Sequence, residues 1–384
     1  MVEGPLRATD EDLDSMVALA DACFLRDRDS GGMLVRWPHC YKTEPGRMHT
    51  FIMREGGRAV SMVAYADQTI DVAGKAVRVA GITAVSTLPE HRGKGYMSGL
   101  LRCCIEDMAA QGYALSELGG DRQRYRRFGW EMGSRERQFQ ISQRSLPGVP
   151  SDGLLVVPYQ PEDLEALLEI YDQTPYGIRR SAYLHGQLLN RLGWETWVCR
   201  RDGRIVAYLN VKLGGDSERV DEYGGSYEGI VAILLHLLSL PDRERFHLCS
   251  PWDHPYNRRF FEISARWHEA APRMARIVHL DRTLEGFSNQ LARRYREAGI
   301  GGSRSVVLGI EGRDQRAALT FSSEGVSVSP ATEGEDAILL PEDAMVRFLF
   351  CSGGAAATVD LPEGKRFLNA LLPLDFFLWP LERV

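Results

Sequence analysis

Val79-Ala-Gly-Ile-Thr-Ala-Val-Ser-Thr-Leu-Pro-Glu-His-Arg-Gly-Lys-Gly-Tyr-Met97 is the stretch on which the fold turns. Lys75–Thr87 is rich in β-branched residues and stops before Pro89, which predicts a strand. Met97–Gln111 predicts a helix, closed by Gly112. Between them lies a loop with Arg92, Gly93, Lys94 and Gly95. Its glycines let the backbone curl until successive N–H groups converge. The start of the helix adds unpaired donors and a partial positive charge. With the two cations, this makes a cradle for a pyrophosphate. A Gly-x-Gly turn alone would be weak evidence; Pro89 and the flanking basic residues make the combination specific.

Working outward, Leu6–Ala8 predicts a short strand. Asp10 and Glu11 open a helix in which Leu13, Met16, Val17 and Ala20 recur at helical spacing. Thr50–Met53 and Arg58–Tyr65 flank Gly56-Gly57, a hairpin signal. Tyr113–Leu118 and Arg135–Ser142 predict two further strands. The order describes a mixed α/β (α+β) domain.

The next segment partly repeats the first. Thr50-Phe-Ile-Met-Arg-Glu-Gly-Gly-Arg-Ala-Val60 aligns without a gap on Thr196-Trp-Val-Cys-Arg-Arg-Asp-Gly-Arg-Ile-Val206. Tyr125-Arg-Arg-Phe128 has an echo in Tyr256-Asn-Arg-Arg-Phe260, and a strand is expected after each. Two matches in the same order indicate duplication, although any two hairpins can share such residues. Pro147–Pro150 reads as the linker. Past Arg282 the texture changes: a polar helix over Thr283–Ala298, strands at Ser305–Glu311 and Arg316–Ser322, a helix over Pro341–Phe350, and an apolar end, Phe367–Val384. The expected domains are 1–148, 149–283 and 284–384.

A chain of 384 residues suits two or three such domains. No apolar run approaches the roughly 20 residues of a membrane span. Met1–Asp14 is acidic without an apolar core, so a cytoplasmic location is expected. The seven scattered cysteines read as reduced thiols. A net charge of −6 without a basic stripe argues against nucleic acid. His247, Cys249 and His254 lack a paired ligand pattern, so no metal is expected. Cys103-Cys104 on a helix reads as structural, and Ser86 and Ser116 have no His–Asp partner nearby.

The loop Arg92-Gly93-Lys94-Gly95-Tyr96-Met97 resembles the Arg/Gln-x-x-Gly-x-Gly/Ala signature of the Gcn5-related N-acetyltransferase superfamily, with Met97 where a small residue is usual. Length, repeat and changed third segment are most similar to the enhanced-intracellular-survival (Eis) branch, which tolerates a larger residue there. The resemblance implies tandem acetyltransferase-fold domains with mixed, mostly antiparallel sheets. It also implies a second copy lacking the cofactor loop and a C-terminal sterol-carrier-like α/β domain. Acetyl-coenzyme A would be the cofactor, held by the backbone of Val85, Ser86 and Thr87 and by Arg92, Gly93, Lys94, Gly95 and Tyr96. A homo-oligomer, trimer or hexamer, is likewise implied, with no membrane partner.

Tyr125-Arg-Arg-Phe128-Gly129 resembles the family's Tyr-x-x-Phe-Gly motif, after a longer approach at Gly119–Arg124. This implies Tyr125 as the general acid that reprotonates a departing thiolate, a task suited to a phenol with a pKa of about 10. The bland alternative is an aromatic cluster at a turn. In this branch the base is the terminal carboxylate, here that of Val384. Glu117 and Asp121 are the alternative carboxylates. The acceptor pocket would use Asp27 (or Asp29), Trp37, Tyr41 and Glu382 around a polyamine, aminoglycoside-like or lysine-type amine, small molecule or peptide. Arg383 beside the terminus counts against aminoglycosides. The competing function is a non-catalytic acyl-coenzyme A or lipid-binding protein.

Overall fold

The computed structural model describes residues 1–25, 32–146, 153–174, 176–212, 218–241, 243–332 and 336–384. The linker expected at Pro147–Pro150 lies outside the described residues. The first half contains β1 (Val2–Arg7), helices α1 (Leu13–Phe24), α2 (Met33–Arg36) and α3 (Pro38–Tyr41), then β2 (Met48–Glu55), β3 (Arg58–Val72) and β4 (Lys75–Thr87). Helix α4 (Tyr96–Ala110) follows, then β5 (Leu115–Leu118), β6 (Glu131–Met132) and β7 (Glu136–Ser142). The second half repeats the plan with β8 (Leu154–Pro158), β9 (Trp194–Arg201), β10 (Arg204–Lys212), β11 (Glu218–Gly225), β12 (Arg245–Pro251), β13 (Arg266–Ala270) and β14 (Met274–Ile277). The two aligned segments are the β2–β3 and β9–β10 hairpins, and Tyr256 starts a short helix as Tyr125 ends one. The chain therefore carries tandem acetyltransferase-like folds.

The two seven-stranded sheets run β1-β2-β3-β4-β5-β14-β6 and β13-β7-β12-β11-β10-β9-β8. Each half gives its last strand to the other. β7, expected to finish the first sheet, pairs instead with β12 and β13. β14 takes the corresponding place between β5 and β6. No single cut in the chain leaves both sheets whole.

Helix α4 shows how the first core closes. Leu100, Leu101, Cys104 and Met108 fall on one face and are buried against Val63, Tyr65 and Ala80 of the sheet. Each large side chain buried there contributes about 1.5–3 kcal/mol. The third segment is a four-stranded sheet, Val326–Pro330, Arg316–Phe321, Arg304–Ile310 and Ala337–Leu340 in spatial order. The single helix expected over Thr283–Ala298 is two, Leu280–Gly286 and Ser288–Glu297, broken at the buried Phe287. The helix Glu342–Phe350 packs under the Tyr125 turn, where Asp343 accepts from Arg126 at 2.6 Å. Among the described residues no helix is long and apolar enough to cross a membrane.

Candidate active site

β4 and β5 lie parallel but pair only from Val79–Gly81 to Leu115–Glu117. Beyond Gly81, β4 keeps its bonds to β3 alone, and its register there slips by one residue. The slip coincides with Ala84 at φ +53°, a left-handed conformation that costs a non-glycine residue about 1–2 kcal/mol. Such a bulge bends the strand away from its neighbour. The wedge left between the strands is a cleft of about 430 Å³. Ile82–Val85 form one wall, Leu118, Gly119, Arg124 and Tyr125 another, and Met33, Trp37, Cys40 and Tyr41 a third. Val384, the last residue of the chain, closes it.

At the far end of β4 the loop behaves as its glycines predict. Gly93 and Gly95 have φ +76° and +79°, and a Cβ on either would meet nothing within 4 Å. Conformation, not crowding, demands glycine there, and the space in front of them is open. Gly95 caps α4. A hollow of about 400 Å³ before the helix is lined by Thr87, His91, Arg92, Gly93, Gly95, Tyr96 and Arg127. Arg92 donates to the Thr87 carbonyl at 3.2 Å, and Arg127 reaches Ser98 at 3.3 Å. Free N–H groups, open glycines and two arginines fit a pyrophosphate. Lys94 is exposed and does not line the hollow. Met97, the departure from the signature, packs on the first core as well as bordering the hollow. Val85 faces the cleft and Thr87 the hollow, whereas Ser86 is buried toward β3, its carbonyl accepting from Ser61.

Tyr125 ends a short helix whose cap is Asp121, accepting from the Gln123 N–H at 2.9 Å. The longer approach has a use: a Cβ on Gly120 would lie 2.9 Å from the tyrosine ring, so glycine lets the ring settle onto the backbone. Gly129 adopts φ +90°, and a Cβ there would collide with the Glu342 carboxylate. Only 5% of Tyr125 is exposed. Burial raises the phenol pKa, partly offset by the neighbouring Arg124. The phenol is thus a protonated donor at neutral pH, facing the cleft.

The tail reaches the cleft through a series of buried anchors. Phe376, Trp379 and Leu381 are buried, and Arg191 donates to the Leu381 carbonyl at 2.8 Å. Arg383 turns to Glu136. Glu382 does not enter the acceptor pocket expected for it. It is fully buried and accepts from Arg180 Nε at 3.0 Å, the Tyr171 hydroxyl at 2.5 Å and the Ile178 N–H at 3.0 Å. Arg180 is in turn paired with Glu222 of β11. A buried carboxylate is tolerable only with such partners, and removing it costs about 1–3 kcal/mol for each group left unsatisfied. The tail also lies where β11 and β12, paired only over Glu218–Val220, separate: Trp379 meets the Tyr223 ring at 5.0 Å.

Val384 packs with Cys40 and Ala66, and its backbone oxygen lies 3.4 Å from Arg273 Nη2. Trp37 and Tyr41 form the aromatic wall, with Arg191 4.5 Å over the Trp37 ring. Asp27 and Asp29 lie outside the described residues. Of the alternative carboxylates, Glu117 is buried and paired to Arg273, its pKa raised by desolvation against the pull of that arginine. Asp121 is occupied as a helix cap. Sequence reasoning missed Arg273, Gly81, Arg127 and Arg124; of these, only the arginines flanking Tyr125 carried a signal, as basic residues near an anion cradle. Among the described residues no three His, Cys, Asp or Glu side chains gather as a metal site. His254 sits among Tyr176, Tyr223 and Phe260 instead.

Residues 6–133 match the sequence profile of the acetyltransferase (GNAT) domain. Over those residues the first domain is similar to the Gcn5-related N-acetyltransferases. The chain as a whole shares its fold with a conserved protein of unknown function from Enterococcus faecalis V583 (TM-score 0.74, 17% identity, 98% of this chain and 99% of that one). It also shares it with a GCN5-related N-acetyltransferase from Anabaena variabilis (0.73, 15%, 97% and 97%) and with Eis1 from Mycobacterium abscessus (0.68, 16%, 98% and 99%). No curated protein sequence matches it.

Proposed function

We propose that the chain is an acetyl-coenzyme A-dependent N-acetyltransferase acting by direct attack of an amine, with Tyr125 as general acid and the Val384 carboxylate as general base. Acetyl-coenzyme A brings an electrophilic thioester carbonyl and a thiolate leaving group. The Arg92–Gly95 loop and Arg127 hold the pyrophosphate. The bulged strand at Ala84 and Val85 leaves room for the pantetheine arm. The terminal carboxylate accepts the proton of the attacking amine, and the Tyr125 hydroxyl gives one to the departing sulfur. The observation that carries this reading is that Tyr125 and Val384 line one cleft at the point where β4 and β5 part.

The acceptor is read as an amine on a compact body, lysine-type or aromatic, since Trp37 and Tyr41 flank the cleft and Arg36 and Arg124 line it. The seven cysteines without a disulfide fit a cytoplasmic reaction. The test is thiol release from acetyl-coenzyme A with phenethylamine, lysine methyl ester, spermidine and kanamycin. Release above the acceptor-free rate, greatest with the first two, is expected. No release with any of the four would count against catalysis and for a binding role.

A further inference from the structure

Arg273 comes from the second half of the chain, one residue before the exchanged strand β14. In register it stands beside Gly119, where a Cβ would collide with its guanidinium. The exchange therefore delivers a second-half arginine to the first-half cleft. Its Nε donates to Glu117 Oε2 at 2.6 Å, and its Nη2 bonds the same carboxylate and lies 3.4 Å from the Val384 backbone oxygen. Arg273, Glu117 and Val384 are all buried. The other Glu117 oxygen, Oε1, has no partner among the described residues, so Arg273 is what holds this carboxylate. Glu117 and Val384 also meet over one point: a Cβ on Gly81 would lie 2.9 Å from Glu117 Oε1 and 2.6 Å from Val384 Cγ2. The nearby Arg383 guanidinium is turned away to Glu136.

We propose that Arg273 is the positioning residue for the terminal carboxylate, and that Glu117 is its counter-charge. This rests on the reading of Val384 as base. A lone guanidinium beside that carboxylate would fix it but also favour its charged form and weaken it as a proton acceptor. Glu117 takes up most of the positive charge, so Arg273 orients the Val384 carboxylate through a long contact without quenching it. The tandem arrangement then serves catalysis directly, because the second domain, which lacks a cofactor loop, supplies the residue that aims the base.

The experiment is a cycle of four full-length proteins, assayed with saturating acetyl-coenzyme A and the fastest of the four amines above. They are the native chain, the chain extended by two glycines after Val384, the pair Arg273→Gln with Glu117→Gln, and that pair in the extended chain. Replacing both charges together avoids an uncompensated buried ion, and thermal melting checks that all four fold. The pair should lower kcat roughly a hundredfold, the scale of a misplaced catalytic group, with coenzyme A affinity unchanged. In the extended chain, where the carboxylate has already moved, the pair should add nothing further. Arg273→Lys alone should recover part of the loss, since it keeps the charge but not the fork. Losses that multiply in the extended chain, or a pair that keeps full kcat, overturn the role of Arg273 and leave the base assignment standing. An extended chain with native kcat overturns the base assignment, and the role of Arg273 with it.

Discussion

Val384 rests on Gly81: a Cβ added to that glycine would come within 2.6 Å of the valine Cγ2. The last residue of the chain is thereby seated on the last β4 residue paired to β5, at the mouth of the wedge. Gly81→Ala should lift the tail out of register. Overpacking of this kind costs about 1–3 kcal/mol. A shift of the carboxylate by about 1 Å should lower kcat roughly a hundredfold. Melting and steady-state kinetics on the same preparation would separate the two effects. A folded Gly81→Ala enzyme with native kcat would show that the seat is not needed.

At Val384 the carboxylate matters more than the side chain. Val384→Ala should change kcat little, whereas residues added after Val384 should lower it by about a hundred- to ten-thousandfold, the usual worth of a general base. Equal, small effects of both changes would point to Glu117 as the base.

Tyr125→Phe removes the hydroxyl and keeps the packed ring. Turnover should fall by about a hundred- to ten-thousandfold while coenzyme A binding holds. The sign of the pKa shift adds a second expectation. Burial raises the phenol pKa, so the acid form persists to higher pH than the usual value of about 10 would require. The native kcat should therefore show no alkaline fall from this group below about pH 9, and the loss in the variant should be constant across that range. A loss that appears only above neutrality would assign the donor elsewhere.

The cradle is tested at Gly95. A Cβ there meets open space, so Gly95→Ala carries only the strain of the left-handed conformation. Gly95→Asp adds a negative charge where the phosphates would sit. Calorimetry with coenzyme A should show the aspartate variant weakened well beyond the alanine one, by more than about 1.4 kcal/mol, a factor of ten. Equal affinities would remove the loop from the site.

The exchange of β7 and β14 makes the halves interdependent. A chain ending at residue 146 lacks β14, leaving β5 and β6 without the strand between them. It should show no cooperative melt and no thiol release. Co-expression with residues 153–384 should restore both. An active, cooperatively melting fragment would mean that the exchange is dispensable.

Short-range signals in the sequence determined a good deal of this. Strand, glycine–basic loop and helix between Val79 and Gln111 follow from β-branched runs, left-handed glycines and helical spacing, all of which are properties of neighbouring residues. The Tyr125 turn and the duplicated hairpins were legible for the same reason, and the apolar tail announced that it would be buried. Where the tail went was not written there. Glu382 reads as an exposed acid near a terminus, and it is buried only because Arg180, Tyr171 and the Ile178 N–H converge on it from another domain. The destination of β7 could not be read either, since its alternation suits either sheet and only long-range pairing chooses between them. Arg273 carries no motif at all; it becomes part of the site because a strand from the second half lies beside β5. Local chemistry specifies the elements and their turns, whereas a buried charge or an exchanged strand is stable only in the company of partners distant in the chain. Those partnerships were decided by the tertiary structure.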